Sequence, residues 1–351
     1  MAVPLRVGIL NDLSDESPGP GGIEQWLRPA VEELRASGRL DREVRFIFAS
    51  GHGLPEGSAA AVERAYAALL AQDVLMIVGP AIGDNALVAT PLAEQHRMPT
   101  VNWAGSERAR GEYMFQLQVG SHEDESLVLA RYMAARGLRR VGVIHDRSPI
   151  GRRHLQFLQA EAEILGVSLA ATRSVSPIAS DVAGEVAAVL DSGAEALIYF
   201  GLGISASAVA RAVGERQWRG LCAMNTAGLR GHSSSDFGRA VEGWVYVDMY
   251  ADDNRILADL SRRWQVPGGR LLAAAKGYDL GRLVAEGLAR APERTREGVK
   301  SGLEDIKWLP AAEGYEGTLL GFGRYDRGAL HGRYLVLRQW LRGQSVEVHA
   351  P

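Results

Sequence analysis

Cysteine is almost absent. Cys222 is the only one in 351 residues, which excludes an internal disulfide and a Cys-rich metal centre. Lysine is scarce as well: Lys276, Lys300 and Lys307 are three of the 39 basic residues. The arginines that take their place are scattered among acids and form no basic face. With a net charge of -3, nucleic acid is not an expected partner. No apolar run approaches the ~18 residues of a membrane-spanning helix, and no low-complexity tract or short repeat is present. The opening "MAVPLRVGIL" lacks the basic segment, apolar core and cleavage site of a secretory signal. The expected location is therefore cytoplasmic if Met1 is the natural start, and extracytoplasmic if a signal was removed.

What is present reads as an ordinary globular chain, 46% hydrophobic and 23% charged, long enough for two domains. Short, nearly continuous apolar runs recur at 5–10, 44–49, 74–79, 100–103, 114–120, 141–145, 196–201, 221–224 and 244–249. Such runs suit strands buried on both faces. Amphipathic stretches separate them, at 59–70, 123–135, 152–165, 181–190 and 205–213. Between the first two runs, Ile23, Trp26, Leu27, Ala30, Val31 and Leu34 also share one helix face. This alternation predicts an α/β protein with mainly parallel sheets, in two doubly wound units. Residues 254–303 read as mostly helix, and strands are expected at 317–322, 334–340 and 345–349. The segment 14–22, "SDESPGPGG", is the most loop-like.

Three stretches could carry chemistry. "FGLGISA", 200–206, begins like a dinucleotide-binding turn with Gly201 and Gly203 but has no third glycine, so no cofactor is expected. Within it, "GISAS" would place Ser205 on a hydrolase elbow, although Ser207 stands where the last glycine belongs. The plainer reading is that Ser205 caps the next helix. His145 and His154 are possible bases by residue type alone, and Glu123 with Asp124 suit a helix start, which Ser121 could cap. The third candidate joins "IVGPAIGDNALVATP", 77–91, to "MPTVNWAGSE", 98–107. Both leave the ends of parallel strands, where α/β sheets hold ligands. The first offers the N–H groups of Gly83, Asp84 and Asn85 at a helix start. The second offers the Ser106 hydroxyl beside the small Ala104 and Gly105, together suiting a carboxylate or another small polar head.

Taken in order, "VGILND", "IVGPAIGDNALVATPLAEQHRMPTVNWAGS", "VGVIHDRSPIGRRHLQFLQ", "ALIYFGLGISASAVARA" and "AAAKGYDLGRLVAEGLARA" resemble the type I periplasmic-binding-protein family over nearly the whole chain. The branch concerned includes leucine/isoleucine/valine-binding proteins and amide sensors. The resemblance implies two Rossmann-like domains joined by a three-crossing hinge, 1–120 plus 251–327 and 121–250 plus 328–351, closing over a ligand. It carries ligand-head contacts onto Gly83, Ala104 and Ser106. Gly83 replaces a frequent serine. In the second domain an aromatic of amino-acid binders becomes Ile150, and the loop at Gly203 and Ile204 also lacks one. In "MNTAG" the acid that receives an α-ammonium becomes Ala227, flanked by Asn225 and Thr226, and Ala273 adds a small residue. An ammonium buried without a carboxylate partner costs on the order of several kcal/mol. Asp84 is the one nearby acid in reach of that role.

The resemblance thus implies a non-enzymatic, metal-free binder of a small molecule with a carboxylate or amide head and an apolar or aromatic body. Its partner would be the permease of an ABC importer or, for a cytosolic amide or acid sensor, a regulatory protein. A hydrolase using Ser205 is the reading from another class.

Overall fold

The computed structural model describes residues 3–16 and 22–348. The chain divides into two compact units, 1–119 with 250–334 and 120–249 with 335–351. The chain passes between the units first at 119/120 and then at 249/250. The third passage is at 334/335. Residues 328–331 stay with the first unit because Gly328 bridges Gln116, the Ala329 N–H donates to the Gln116 carbonyl (2.8 Å), and Leu330 pairs with Leu320.

The first unit begins β1 (Leu5–Asn11), α1 (Glu24–Ala36), β2 (Val44–Ser50), α2 (Ala59–Leu70), β3 (Met76–Val78), α3 (Gly83–Gln95), β4 (Thr100–Asn102) and β5 (Met114–Gln116). Its five strands are parallel, in the order β2-β1-β3-β4-β5. The strand order reverses beside β1, which makes the ends of β1 and β3 a topological switch point.

The second unit contains α4 (His122–Ala135), β6 (Arg140–Asp146), α5 (Pro149–Ile164), β7 (Ser168–Val175), α6 (Ala183–Leu190), β8 (Ala196–Phe200), α7 (Ala206–Glu215), β9 (Leu221–Met224), α8 (Ser235–Ala240) and β10 (Val245–Asp248). A 3-10 segment, Thr226–His232, follows β9. The chain returns to the first unit with α9 (Arg255–Trp264), α10 (Leu271–Arg290) and α11 (Arg296–Glu304), then the short antiparallel strands β11 (Leu309–Pro310), β12 (Leu319–Leu320) and β13 (Leu330–His331). It ends in the second unit with β14 (Val336–Leu341) and β15 (Gln344–Glu347), giving the sheet order β15-β14-β10-β9-β8-β6-β7. The strand expected at 317–322 is therefore only two residues long. The one expected at 345–349 ends at Glu347, and His349 lies outside the described residues, as do 17–21 of the loop expected at 14–22.

Two-residue periodicity sorts the second sheet. Ile144, Leu197 and Tyr199 face the helices α6 and α7, whereas Val143, Ile198 and Phe200 face α4 and α5. Every one of these side chains is inaccessible, which explains runs of apolar residues without alternation. In the first unit α1 lies directly on α10. A Cβ at Gly277 would stand 2.3 Å from the Trp26 Cβ, and one at Gly281 would stand 2.5 Å from the Leu27 carbonyl oxygen. The two glycines are what allow the backbones so close. Across the same contact the buried Glu286 accepts two bonds from the Arg39 guanidinium, 2.8 and 2.6 Å.

Candidate functional site

In the first unit the site grows from the loops that leave β1, β3 and β4. Asp12, one residue past β1, is buried, and burial raises its pKa against the opposing pull of its hydrogen bonds. Its carboxylate accepts the N–H of Ala81 (2.8 Å), the N–H of Ile82 (3.0 Å) and the Asn85 amide (2.8 Å). The turn itself needs Gly79, whose φ is +113° and whose Cβ would meet the Leu10 carbonyl oxygen at 2.4 Å. The Gly-Pro turn thus first serves an internal anion: the protein's own carboxylate occupies the N–H groups nearest the start of α3. Gly83, the first residue of α3, is buried, while Asp84 is half-buried on the first turn.

Asn85 sits fully inside. Its Oδ1 accepts the Leu54 N–H (2.8 Å) and its Nδ2 donates to Asp12, so its side chain fixes the loop and stands behind the helix start. The N-cap position of α3 is Ile82, which offers no side-chain bond.

The loop after β4 is held from below by two polar side chains. Asn102 Nδ2 donates to the carbonyls of Ala109 (2.9 Å) and Phe115 (3.0 Å), while Gln116 Nε2 donates to those of Ala104 and Ser106 (3.0 Å to the latter). Ala104 and Ser106 are buried, and the Ser106 hydroxyl makes no hydrogen bond within the described residues. Ala273 is half-buried in the first turn of α10.

In the second unit the loops leave β6, β8 and β9. Asp146 ends β6 fully buried and accepts the N–H of Ser148 (3.1 Å), the Ser148 hydroxyl and the N–H of Leu202 (2.8 Å). Ser148 in turn caps α5 through the Gly151 N–H (3.1 Å). Ile150 is half-buried on the turn that this cap starts, and Ile204 is half-buried in the loop after β8. Gly203 has φ +87°, and a Cβ there would stand 3.1 Å from that of Ala227 and 2.7 Å from the Arg230 Cδ. Gly203, Ala227 and Arg230 are therefore neighbours, and Arg230 is exposed.

Asn225 is engaged by its own unit. Its Oδ1 accepts the Gly201 N–H (3.3 Å), and its Nδ2 donates to the Gly201 carbonyl (3.1 Å) and to His154 Nε2 (3.2 Å). His154 stacks on Phe200 with ring centroids 4.9 Å apart and planes 1° from parallel. Burial, reinforced by the neighbouring His122, lowers its pKa well below the usual range. It is a neutral ring that receives Asn225 on Nε2 and meets Ser126 Oγ with Nδ1 (3.2 Å).

Ser205 is also internal. It stands at the start of α7 but makes no capping bond; its hydroxyl pairs with that of Tyr199 (3.0 Å). The capping reading of Ser205 is corrected by this bond. The expected base His154 is occupied as described, and His145 Nδ1 faces the Asp146 carbonyl (2.9 Å). Ser121, Glu123 and Asp124 do form the expected helix start, with Ser121 Oγ accepting the Asp124 N–H (3.1 Å).

Sequence reasoning missed the polar supports Asp12, Asn102, Gln116, Asp146 and Glu125. Polar letters inside otherwise apolar strands, as in "TVNWAGS" and "MFQLQ", were the available signal for Asn102 and Gln116. Glu125 is fully buried on α4. It accepts the N–H of Ser121 (2.8 Å) and of Thr226 (2.7 Å), and burial pushes its pKa up to about 8.

Two parallel, doubly wound units, with the chain passing between them three times, define the type I periplasmic-binding-protein fold. A Bordetella pertussis Tohama I type 1 periplasmic binding protein superposes with a TM-score of 0.84 at 18% identity, covering 99% of this chain and 100% of that one. The leucine binding protein LivK of Thermotoga maritima MSB8 gives 0.80 at 14%, with 98% of each chain covered. A Desulfitobacterium hafniense ABC transporter substrate-binding protein in complex with Leu gives 0.79 at 15%, covering 99% of this chain and 100% of that one. No curated protein matches the sequence. The model of the family described as Periplasmic binding protein matches residues 4–336, and the chain belongs to that family. Among the described residues no helix is long and apolar enough to cross a membrane.

Proposed function

We propose that this protein is the solute receptor of an ABC importer, working outside the cytoplasm, and that its ligand carries a carboxylate or amide head on an apolar or aromatic body. The role is supported by the family and by neighbours named as ABC transporter substrate-binding proteins. The observation that carries the ligand class is the distribution of charge in the second unit. By the family resemblance Ala227 takes the place of the acid of amino-acid binders, and the buried acids Asp146 and Glu125 are turned to backbone N–H groups. Arg230, beside Gly203, is a cation where an ammonium would need an anion. In the first unit the Ser106 hydroxyl and the N–H groups at the start of α3 are suited to an oxygen-rich head. In the second unit Ile150 and Ile204 suit an apolar body.

The deciding experiment is a thermal-shift screen followed by calorimetry, with aliphatic and aromatic carboxylates, their amides, and α-amino acids. A ligand of the folded state raises the melting temperature by mass action. Stabilisation by acids or amides that lack an amino group is the expected result. Tight binding of leucine, with no response to its deaminated analogue, would sink the ligand assignment.

A further inference from the structure

The first unit has a second polar hollow, at the opposite edge of its sheet. α11 runs past the entry ends of β3 and the edge strand β5: Arg296 Nε donates to the Val74 carbonyl (3.2 Å) ahead of β3, and Glu297 accepts the Tyr113 hydroxyl (2.8 Å) ahead of β5. Beside the last turn of α11 lies a cavity of about 490 Å³, walled by Arg110, Glu112, Lys300, Glu304, Arg324 and Arg327. Four cations there meet two carboxylates.

Two of the four are matched. One oxygen of Glu304 receives both Arg327 (2.7 Å) and Lys300 (3.1 Å), and against the upward pull of burial these bonds hold its carboxyl below its usual range. Arg327 is further tied to the carbonyls of Gly111, Glu112 and Gly323, so it serves as a strut. The other two are matched less fully, Arg110 by one long ion pair and Arg324 by none among the described residues. Arg110 Nε donates to the neutral Gln116 (2.6 Å), and its Nη1 is 3.7 Å from Asp326, beyond hydrogen-bond reach. Arg324 makes no ion pair among the described residues; it lies over the ring of Tyr325, itself 90% exposed. Planar guanidinium groups at a hollow of small-molecule size are a donor set for oxyanions.

We infer that this cavity is a second binding site, separate from the switch-point loops, for a small organic dianion, either a phosphate monoester or a dicarboxylate, whose charges meet Arg110 and Arg324.

The test titrates the full chain with glycerol 3-phosphate and with succinate at low salt, by calorimetry. The variants are Arg110→Gln, Arg324→Gln, Ser106→Ala and, as a charge control on β2, Arg45→Gln. Saturable one-to-one binding that weakens about tenfold in both the Arg110 and Arg324 variants, but not in Ser106→Ala or Arg45→Gln, supports the site. Whichever probe binds names the source of the charge. Absence of saturable binding for both probes, or equal binding by Arg324→Gln and wild type, overturns it. Arg110→Gln also loses a bond to Gln116, so Arg324→Gln, which breaks no hydrogen bond, decides the matter if the former fails to fold.

Discussion

Asp12 and Asp146 hold equivalent places in the two sheets. Each stands at the end of the strand beside which the strand order reverses, and each accepts N–H groups from the loop after the neighbouring strand: Ala81 and Ile82 in one unit, Leu202 in the other. The point where an α/β sheet splays its loops apart is thus pinned by an internal carboxylate in both units. What remains for a ligand is the next layer of donors.

Removing one pin should unsettle its loop. Asp12→Ala leaves two N–H groups and the Asn85 amide without their acceptor, a loss on the order of 3 kcal/mol. Asp12→Asn keeps one oxygen and should lose less. Denaturant unfolding of both variants checks this, and an unchanged midpoint for Asp12→Ala would show that the contact is dispensable.

Close approach in the second unit gives a contrast between two glycines. A Cβ at Gly201 would stand 2.1 Å from Asp146 Oδ2, whereas one at Gly184, in α6, meets nothing within 4 Å. Gly201→Ala should therefore cost about 1–3 kcal/mol, while Gly184→Ala should be neutral or stabilise by up to about 1 kcal/mol. Melting temperatures moving in the same direction would contradict the packing around Asp146.

Glu125 predicts a pH dependence of fixed sign. Its folded pKa of about 8 lies above the ordinary 4.5, so the folded protein holds a proton that the unfolded chain has released. Its contribution to stability is fully present below 4.5 and is lost as pH rises through about 8. Between these limits the melting temperature of the wild type should fall relative to that of Glu125→Gln, with a total difference on the order of a few kcal/mol. Parallel profiles for the two proteins would mean that Glu125 is ionised in the fold.

The proposed ligand chemistry separates two variants. Ser106→Ala should weaken acids and amides alike by about 1 kcal/mol, one hydrogen bond. Arg230→Gln should weaken the acid while sparing its amide, and should flatten the salt dependence of acid binding. Calorimetry with a matched acid and amide reads both, and equal losses for the two ligands would remove Arg230 from the site.

Strands buried on both faces, such as β1 and β8, were legible because their composition alone announces them. β7 was not. At the sheet edge it is only half-buried along most of its length, and "SLAATRSV" carries polar residues at both alternations. The candidate loops were legible as positions at strand ends, yet the direction of their polar side chains was not. The side chains of Asn85 and Asn225 turn inward to partners, Asp12 and His154, that lie 73 and 71 residues away. A local pattern carries no trace of such bonds. Ser205 was misread for a related reason: its partner Tyr199 is only six residues away, but a tyrosine inside an apolar strand reads as core rather than as a hydrogen-bond partner.

The return of the chain to each unit governs how the protein can be made. β10 finds its antiparallel neighbour only in β14, and α1 finds α10 only after residues 120–249 of the second unit have emerged from the ribosome. A nascent chain that has just delivered Asp248 therefore shows an unclosed sheet edge and an uncovered helix face together. Completion of both must wait for the last hundred or so residues, and until then the chain is a client for whatever holds unfinished polypeptides apart.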